Sequence, residues 1–253
     1  MRHLFIILSH EIRMLVVSAS SYIAAVLFLA LMGFMFVALL ENYSKAPMEI
    51  PPPTVFFHLF WLPVLFMVPL LTMKSISEER RLGTMETLLT TPVSTTEVVI
   101  GKYLAAYLLY ILLWAATGAF FYVLQLFVSD TRLMDPAPLF GGYLFIAASG
   151  LFFIALGIFA SALSKNQAVA GILCFVFLFA VIFGVRFAGS LEFLNIGEMN
   201  ILKDALDYGS VFRHIEDFTH GIVDTRQLLY YVSGAVLALI LSILSIEIKI
   251  IHS

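Results

Sequence analysis

A chain of 253 residues, 61% hydrophobic and only 12% charged, is not an ordinary soluble domain, because such domains average about 25% charged residues. The net charge of −3 excludes a strongly basic nucleic-acid binder. Cys174 is the single cysteine and lies in an apolar run, so one chain can build neither a disulfide nor a thiolate metal cluster.

The N-terminal stretch 1–18 begins with Arg2 and a short apolar run, Leu4 to Leu8, resembling the core of a signal peptide. His10, Glu11 and Arg13 interrupt it, and no small-residue cleavage pattern follows, so a cleavable signal is not expected. On a helical wheel Arg2, His3, Ser9, His10 and Arg13 fall in one polar sector, with Leu4, Phe5, Ile12 and Leu15 mostly opposite. Glu11 breaks the pattern. The stretch reads as an amphipathic helix lying on the membrane surface; the alternative is a continuation of the first span into the cytoplasm.

Crossing the hydrocarbon core as a helix takes about twenty apolar residues, with every backbone polar group satisfied internally. Six runs qualify, at about 20–40, 55–73, 102–128, 139–163, 168–189 and 228–248. The expected fold is therefore all-α and polytopic, a single transmembrane domain over 1–253. Between the first two spans, residues 41–54 are short and Pro-rich and are expected to be extended. The second span contains Pro63 and Pro69, which remove helical donors and should kink it. Ser164 to Gln167 make a tight hairpin between the fourth and fifth.

Orientation follows from Lys and Arg in short loops. Arg2, Arg13, Lys74, Arg80, Arg81, Lys102, Lys165 and Lys249 fall on one side, against Lys45 and Arg132 in the short loops of the other. The longer segment 190–226 and its flank add Arg186, Lys203, Arg213 and Arg226 to that second side. Weighting short loops places both termini and the 75–101 loop in the cytoplasm, with the protein in the cell (inner or cytoplasmic) membrane.

That loop has the densest polar chemistry in the chain. Ser75-Ile76-Ser77-Glu78 has capping-box spacing, followed by Glu79, Arg80 and Arg81. Gly83 can break the element by adopting a backbone conformation costly to other residues. Thr84 is placed to cap a short helix, Met85 to Thr91, that Pro92 would stop. Ser94-Thr95-Thr96-Glu97 supplies a second box, opening a helix through Gly101 and Lys102 into the third span. Read locally, this is either a solvated loop with caps ending two membrane helices or a rigid, shaped object.

Segment 190–226 mixes apolar residues with seven acidic ones, which suits one or two short helices at the outer interface. Within it His214, Glu216, Asp217, His220 and Asp224 form the only cluster with metal or acid–base chemistry. On a helix Glu216 and His220 share a face, as do His214 and Asp217, but no H-E-x-x-H pattern exists. A solvated helix is the expectation, and a hydrolytic or metal centre the alternative. His58 and Arg186 lie near span ends, where polar side chains can snorkel to the interface. No phosphate-cradling loop is present: Gly101-Lys102 has Thr96 where the first Gly should stand and Tyr103 after the Lys.

Ser77-Glu78-Glu79, Gly83-Thr84-x-Glu86-x-Leu88-Leu89, Thr91-Pro92-x-Ser94 and Gly101-Lys102 together resemble the signature of ABC-2 type transporter permease subunits. Glu11 and Ser20-Ser21-Tyr22-Ile23 are similar to that family's approach to the first span. Phe218, Gly221, Asp224, Arg226 and Tyr230 resemble its gliding-motility-associated subgroup. The resemblance implies six spans, cytoplasmic ends and a coupling helix between spans 2 and 3. It implies that Gly83 to Thr90 dock on a separate ABC ATPase, with Thr84, Met85, Glu86, Leu88 and Leu89 in the contact. Glu78 would be a polar hinge, Lys165 with Asn166 a smaller second contact, and Glu11 would face the ATPase or the loop. ATP and Mg would be held by that partner, this chain carrying no cofactor and no catalytic residue. A second permease chain, identical or not, would complete the pathway, and export is the direction implied. Two other readings stay open: a membrane anchor or scaffold for a cytoplasmic partner, and a polytopic enzyme using residues 214–224.

Overall fold

A computed structural model describes residues 2–45, 50–84, 94–127, 136–189 and 208–251, and every regular element among them is a helix. In chain order these are α1 (Arg2–Val17), α2 (Ala19–Lys45), α3 (Pro52–His58), α4 (Trp61–Thr72), α5 (Ser77–Leu82) and α6 (Thr95–Ala116). Then come α7 (Gly118–Phe127), α8 (Pro136–Leu163), α9 (Gln167–Phe179), α10 (Val185–Gly189), α11 (Val211–Thr219) and α12 (Thr225–Ile251). A π turn at Ala180–Gly184 joins α9 to α10.

Among the described residues five stretches are long and apolar enough to cross a membrane: Ala19–Lys45, Thr95–Leu126, Pro136–Leu163, Gln167–Phe187 and Thr225–Ile248. The pair Pro52–His58 and Trp61–Leu82, bent by 49°, is the sixth candidate. Helix α8 is the most deeply buried of the five unbroken stretches and packs on α12, α9, α11, α6, α4 and α3. Small residues on α8 make this possible. A Cβ at Gly142 would lie 2.1 Å from the Phe57 ring, one at Gly150 2.4 Å from Tyr110 and one at Gly157 2.3 Å from Thr72 Oγ1. Bare glycines thus let α3, α6 and α4 close onto one helix, where lipid offers no hydrophobic drive and packing must hold the bundle. By contrast α2 buries only the stripe Ser21, Ala24, Phe28, Met32, Phe36 and Leu39. Its exposed Tyr22, Val26, Phe34 and Val37 suit a lipid-facing surface.

Three local expectations are corrected. The 41–54 segment is not simply extended: α2 runs on to Lys45, whose Nζ lies 2.6 Å from Glu41 Oε1 one turn back. Pro52 and Pro53 open α3, since a first helical turn needs no N–H from them. The second span breaks at Leu59–Phe60, ahead of Pro63. A proline collides with the carbonyl four residues before it, which for Pro63 is that of Leu59. Pro69 stays inside α4. The third helix starts at Thr95, as expected from the Ser94–Glu97 box, which forms, and Val98 and Val99 are buried. Finally, α5 has Ile76 at its N-cap with no side-chain cap, so the Ser75–Glu78 box is not formed.

Candidate functional site

The loop between spans 2 and 3 is tied at its root to two other helices through one buried lysine. Ser94 Oγ accepts the Glu97 N–H at 3.2 Å, and the Glu97 carboxylate accepts the Ser94 N–H at 3.3 Å. This reciprocal cap fixes the start of α6 and sets Lys102 two turns in, on a side facing α1 and α5. Its side chain is only 4% exposed, and Nζ lies 2.6 Å from both Glu11 Oε1 on α1 and Glu79 Oε1 on α5. An ammonium removed from water is tolerable only when paired this closely. Two carboxylates on one ammonium leave a net charge of −1, and Glu79 Oε2 is buried without a partner among the described residues. Beside the cluster lies a cleft of about 300 Å³ bordered by His10, Lys74, Glu78 and Leu82 as well as the three charges.

Helix α1 reaches the lysine because its neighbour on α6 is glycine. A Cβ on Gly101 would stand 2.7 Å from Ile7 Cγ2, so the bare backbone admits Ile7. Glu11, one turn further along α1, then meets Lys102. Helices α1 and α2 are separated at Ser18, and α1 lies along α6. Phe5, Ile6, Met14, Val16 and Val17 remain exposed on its other sides.

A second anchor comes from α8. Ser161 Oγ, fully buried, accepts the Ile76 and Ser77 N–H groups at 3.0 Å each and donates to the Met73 carbonyl at 3.2 Å. These contacts take the place of the expected serine cap at the start of α5, while Ser77 Oγ turns back to the Met73 carbonyl. Arg80 donates through Nη1 to the Ala162 carbonyl in the last turn of α8, which also accepts Ser245 Oγ of α12 at 3.4 Å. A guanidinium is well suited to the negative end of a helix dipole. Helix α5 ends at Gly83, whose φ of 71° is left-handed and whose N–H bonds to the Glu79 carbonyl.

Of the residues singled out from sequence, Gly83 and Thr84 are exposed just past α5, and Thr84 Oγ1 donates to the Glu79 carbonyl at 3.3 Å. Met85, Glu86, Leu88 and Leu89 lie outside the described residues. Glu78 is part-exposed with Arg81 at 3.8 Å. Lys165 is exposed, and Asn166 caps α9 by accepting the Ala168 N–H at 2.9 Å. Glu11 is turned inward on Lys102. Sequence reading missed Glu79, Lys102, Ser161 and Arg80 as a connected set. Two signals were available: Glu11 on the wrong side of its wheel, and a lysine two turns into an apolar helix.

At the opposite end of α8, the His214 cluster is dispersed. His214 is buried, with Nε2 donating to the Tyr208 carbonyl at 2.7 Å and Nδ1 2.8 Å from the Tyr231 hydroxyl. Gln227 Nε2 donates to Asp217 at 2.7 Å, Asp224 Oδ1 caps α12 through the Arg226 N–H, and Glu216 and His220 are exposed. Among the described residues no three His, Cys, Asp or Glu side chains converge on a metal-sized site. The residues of the subgroup likeness also have local packing and turn roles. The Phe218 carbonyl abuts Gly141, Gly221 turns the chain at φ 80° and Tyr230 packs on Phe152.

Burial pushes the His214 imidazole below its ordinary value of about 6.5; the Tyr208 carbonyl and Asp217 oppose this, Arg213 adds to it and Asp224 opposes it. A value depressed in the folded state contributes stability that is whole above about pH 6.5 and lost as pH falls through the folded-state value. Melting of the detergent-solubilised protein from about pH 8 to about pH 5 is expected to register that loss. His214→Gln, which cannot titrate, is expected to flatten the profile; an unchanged slope would place the titration elsewhere.

A family model described as ABC-2 family transporter protein matches residues 42–248. No curated protein matches the chain.

Proposed function

Since this chain belongs to the ABC-2 family of transporter proteins and is its multi-pass membrane permease component, we propose that it works as an exporter subunit driven by a separate ATPase. In this reading both termini and the Lys102 end of the bundle face the cytoplasm. Residues Gly83 to Thr90, with Met85, Glu86, Leu88 and Leu89 among them, dock on the ATPase, and Lys165 with Asn166 adds a smaller contact. ATP and Mg are held by that partner, and a second permease chain, identical or not, completes the pathway.

The observation that carries the reading is how the loop is rooted. Force applied at Gly83 meets a one-and-a-half-turn helix, α5, with rigid connections at its base. Ser161 ties it to α8, and Glu79 ties it through Lys102 to α6 and α1. A ligand can drive a conformational change only through contacts that differ between states. A loop merely solvated between two spans would have no need of such bracing. Docking that tilts α5 would act on several spans at once, as in rigid-body switching. Glu11 then serves as a brace inside the permease, and Glu78 as the exposed flank of α5.

Affinity purification of the tagged, solubilised chain with mass spectrometry of its companions tests this. A stoichiometric P-loop ATPase is expected, and it is expected to be lost when 83–90 is scrambled. A folded chain recovered without any ATPase would instead favour a scaffold that transports nothing.

A further inference from the structure

The geometry points to a binding cleft, at the end of the bundle opposite Lys102, for an amphiphile whose polar head carries both a phosphate and an amine. The cleft has a volume of about 490 Å³ and is lined by His58, Arg186, Phe212, Arg213, Glu216 and Asp217. These residues come from α3, α10 and α11, three short helices gathered at one end of α8. Arg186 is held over the face of Phe212, with its guanidinium carbon 4.9 Å from the ring centroid. Among the described residues neither Arg186 nor Arg213 makes an ion pair, although two carboxylates share the cleft. Asp217 is instead engaged by Gln227, and His58 Nδ1 donates to the Thr54 carbonyl at 2.7 Å, leaving Nε2 for another partner.

Guanidinium groups present a planar fork that suits phosphate oxygens. Two of them, one already oriented by a ring, set the head chemistry. The two arginines face two carboxylates, Glu216 and Asp217, so a zwitterionic head matches the cleft better than a purely anionic one. Exposed Glu216 is the group placed to take the amine.

A tail is implied by what adjoins the cleft. Phe212 packs against Phe183 with centroids 5.5 Å apart, Phe183 against Phe179 at 5.0 Å, Phe179 against Phe175 at 6.3 Å and Phe175 against Phe66 at 6.1 Å. Phe179 and Phe66 are about half exposed, so this row is an open apolar track running from the polar cleft along α9 and α4. The π turn at Ala180–Gly184 lies where the track meets the cleft, and such turns are uncommon and concentrate at functional sites. A free phosphate would use the cleft alone; only an amphiphile would use both features.

Trp61 packs edge-on against Phe183 at 5.3 Å and reports on the junction. The test titrates the purified full-length chain, in a neutral sugar detergent, with dihexanoyl-phosphatidylethanolamine while tryptophan fluorescence and calorimetric heat are followed. Saturable binding is expected, weakened at least tenfold by Arg213→Gln. Glu216→Gln is expected to weaken the ethanolamine lipid but not dihexanoyl-phosphatidylglycerol. Both changes are at exposed positions, and calorimetry on the unmodified chain needs no substitution at all. Equal affinity for inorganic phosphate or phosphoethanolamine would overturn the amphiphile, and equal response to octyl glucoside would overturn the charged head. Binding unaffected by Arg213→Gln, or no saturable binding, would overturn the site. No ATPase enters the assay, so its failure and the failure of the transporter reading are separable.

Discussion

Replacing Lys102 with methionine is expected to destabilise the folded bundle by about 3 kcal/mol, the lower end of the range for breaking a buried ion pair. The change strands the Glu11 and Glu79 carboxylates against an apolar side chain and against each other. Their side chains are 17% and 23% exposed, so water reaches them in part and keeps the cost off the upper end. The measurement is thermal melting in detergent beside the triple variant Lys102→Met, Glu11→Gln, Glu79→Gln. Because a buried ionic cluster often contributes little beyond a neutral replacement, the triple variant is expected to recover most of the lost stability. Its coupling to an ATPase is expected to stay impaired, since neutral side chains no longer bind α1, α5 and α6 through one atom. A single Lys102→Met variant that melts like the native protein would show that the ion cluster does not hold this junction.

The logic of the triple variant is the logic of the site. Stability alone does not explain three charges drawn out of water, because an apolar cluster would serve as well. What the ion cluster adds is direction: Nζ must sit 2.6 Å from two specific oxygens, which fixes the relative position of three helices more narrowly than apolar contact does. Glu79 Oε2, buried without a partner among the described residues, leaves the junction short of full satisfaction. A small movement of α5 therefore changes its energy.

How much of this was legible follows the range of each interaction. The Ser94–Glu97 box spans three residues, and its chemistry is complete within them, so sequence read it correctly. The Ser75–Glu78 box had the same spacing but did not form. The Ser75 and Glu78 N–H groups bond instead to the Thr72 and Lys74 carbonyls, and the intervening Ile76 and Ser77 N–H groups find Ser161, 85 and 84 residues away, a competitor no local pattern contains. Glu11 stood out on the helical wheel as misplaced, which was a true signal. Its partner, 91 residues distant, could not be named from the wheel, and Lys102 was read as a positive charge near a loop end and as part of the family signature, not as an ion-pair partner. The prolines divide in the same way. That Pro63 would disturb the second span was readable, and the break falls at Leu59 and Phe60, one turn before it, where Phe60 packs on Phe145 and Phe212; that Pro69 would stay inside a helix was not. The apolar runs behaved best, because lipid imposes one simple requirement on length and polarity.

Ser161→Ala is expected to loosen the loop root while leaving the spans assembled. Its hydroxyl is the acceptor for two buried N–H groups, those of Ile76 and Ser77. An unsatisfied buried donor costs about 1–3 kcal/mol, so the pair puts the loss at about 2–6 kcal/mol, concentrated in the turn between α4 and α5. The Met73 carbonyl keeps Ser77 Oγ as a donor, so the damage falls on the two donors alone. Alanine leaves almost no void, which keeps the packing of α8 out of the result. Amide exchange at Ile76 and Ser77 is expected to accelerate at least tenfold, with the protected amides of α8 and α12 unchanged. An ATPase that still co-purifies but is no longer stimulated by this chain would separate docking, which uses residues beyond Gly83, from transmission, which runs through Ser161. Fast exchange with full stimulation would remove the Ser161 contact from the path of force and leave the Lys102 cluster and the Arg80–Ala162 contact as the connections between loop and spans.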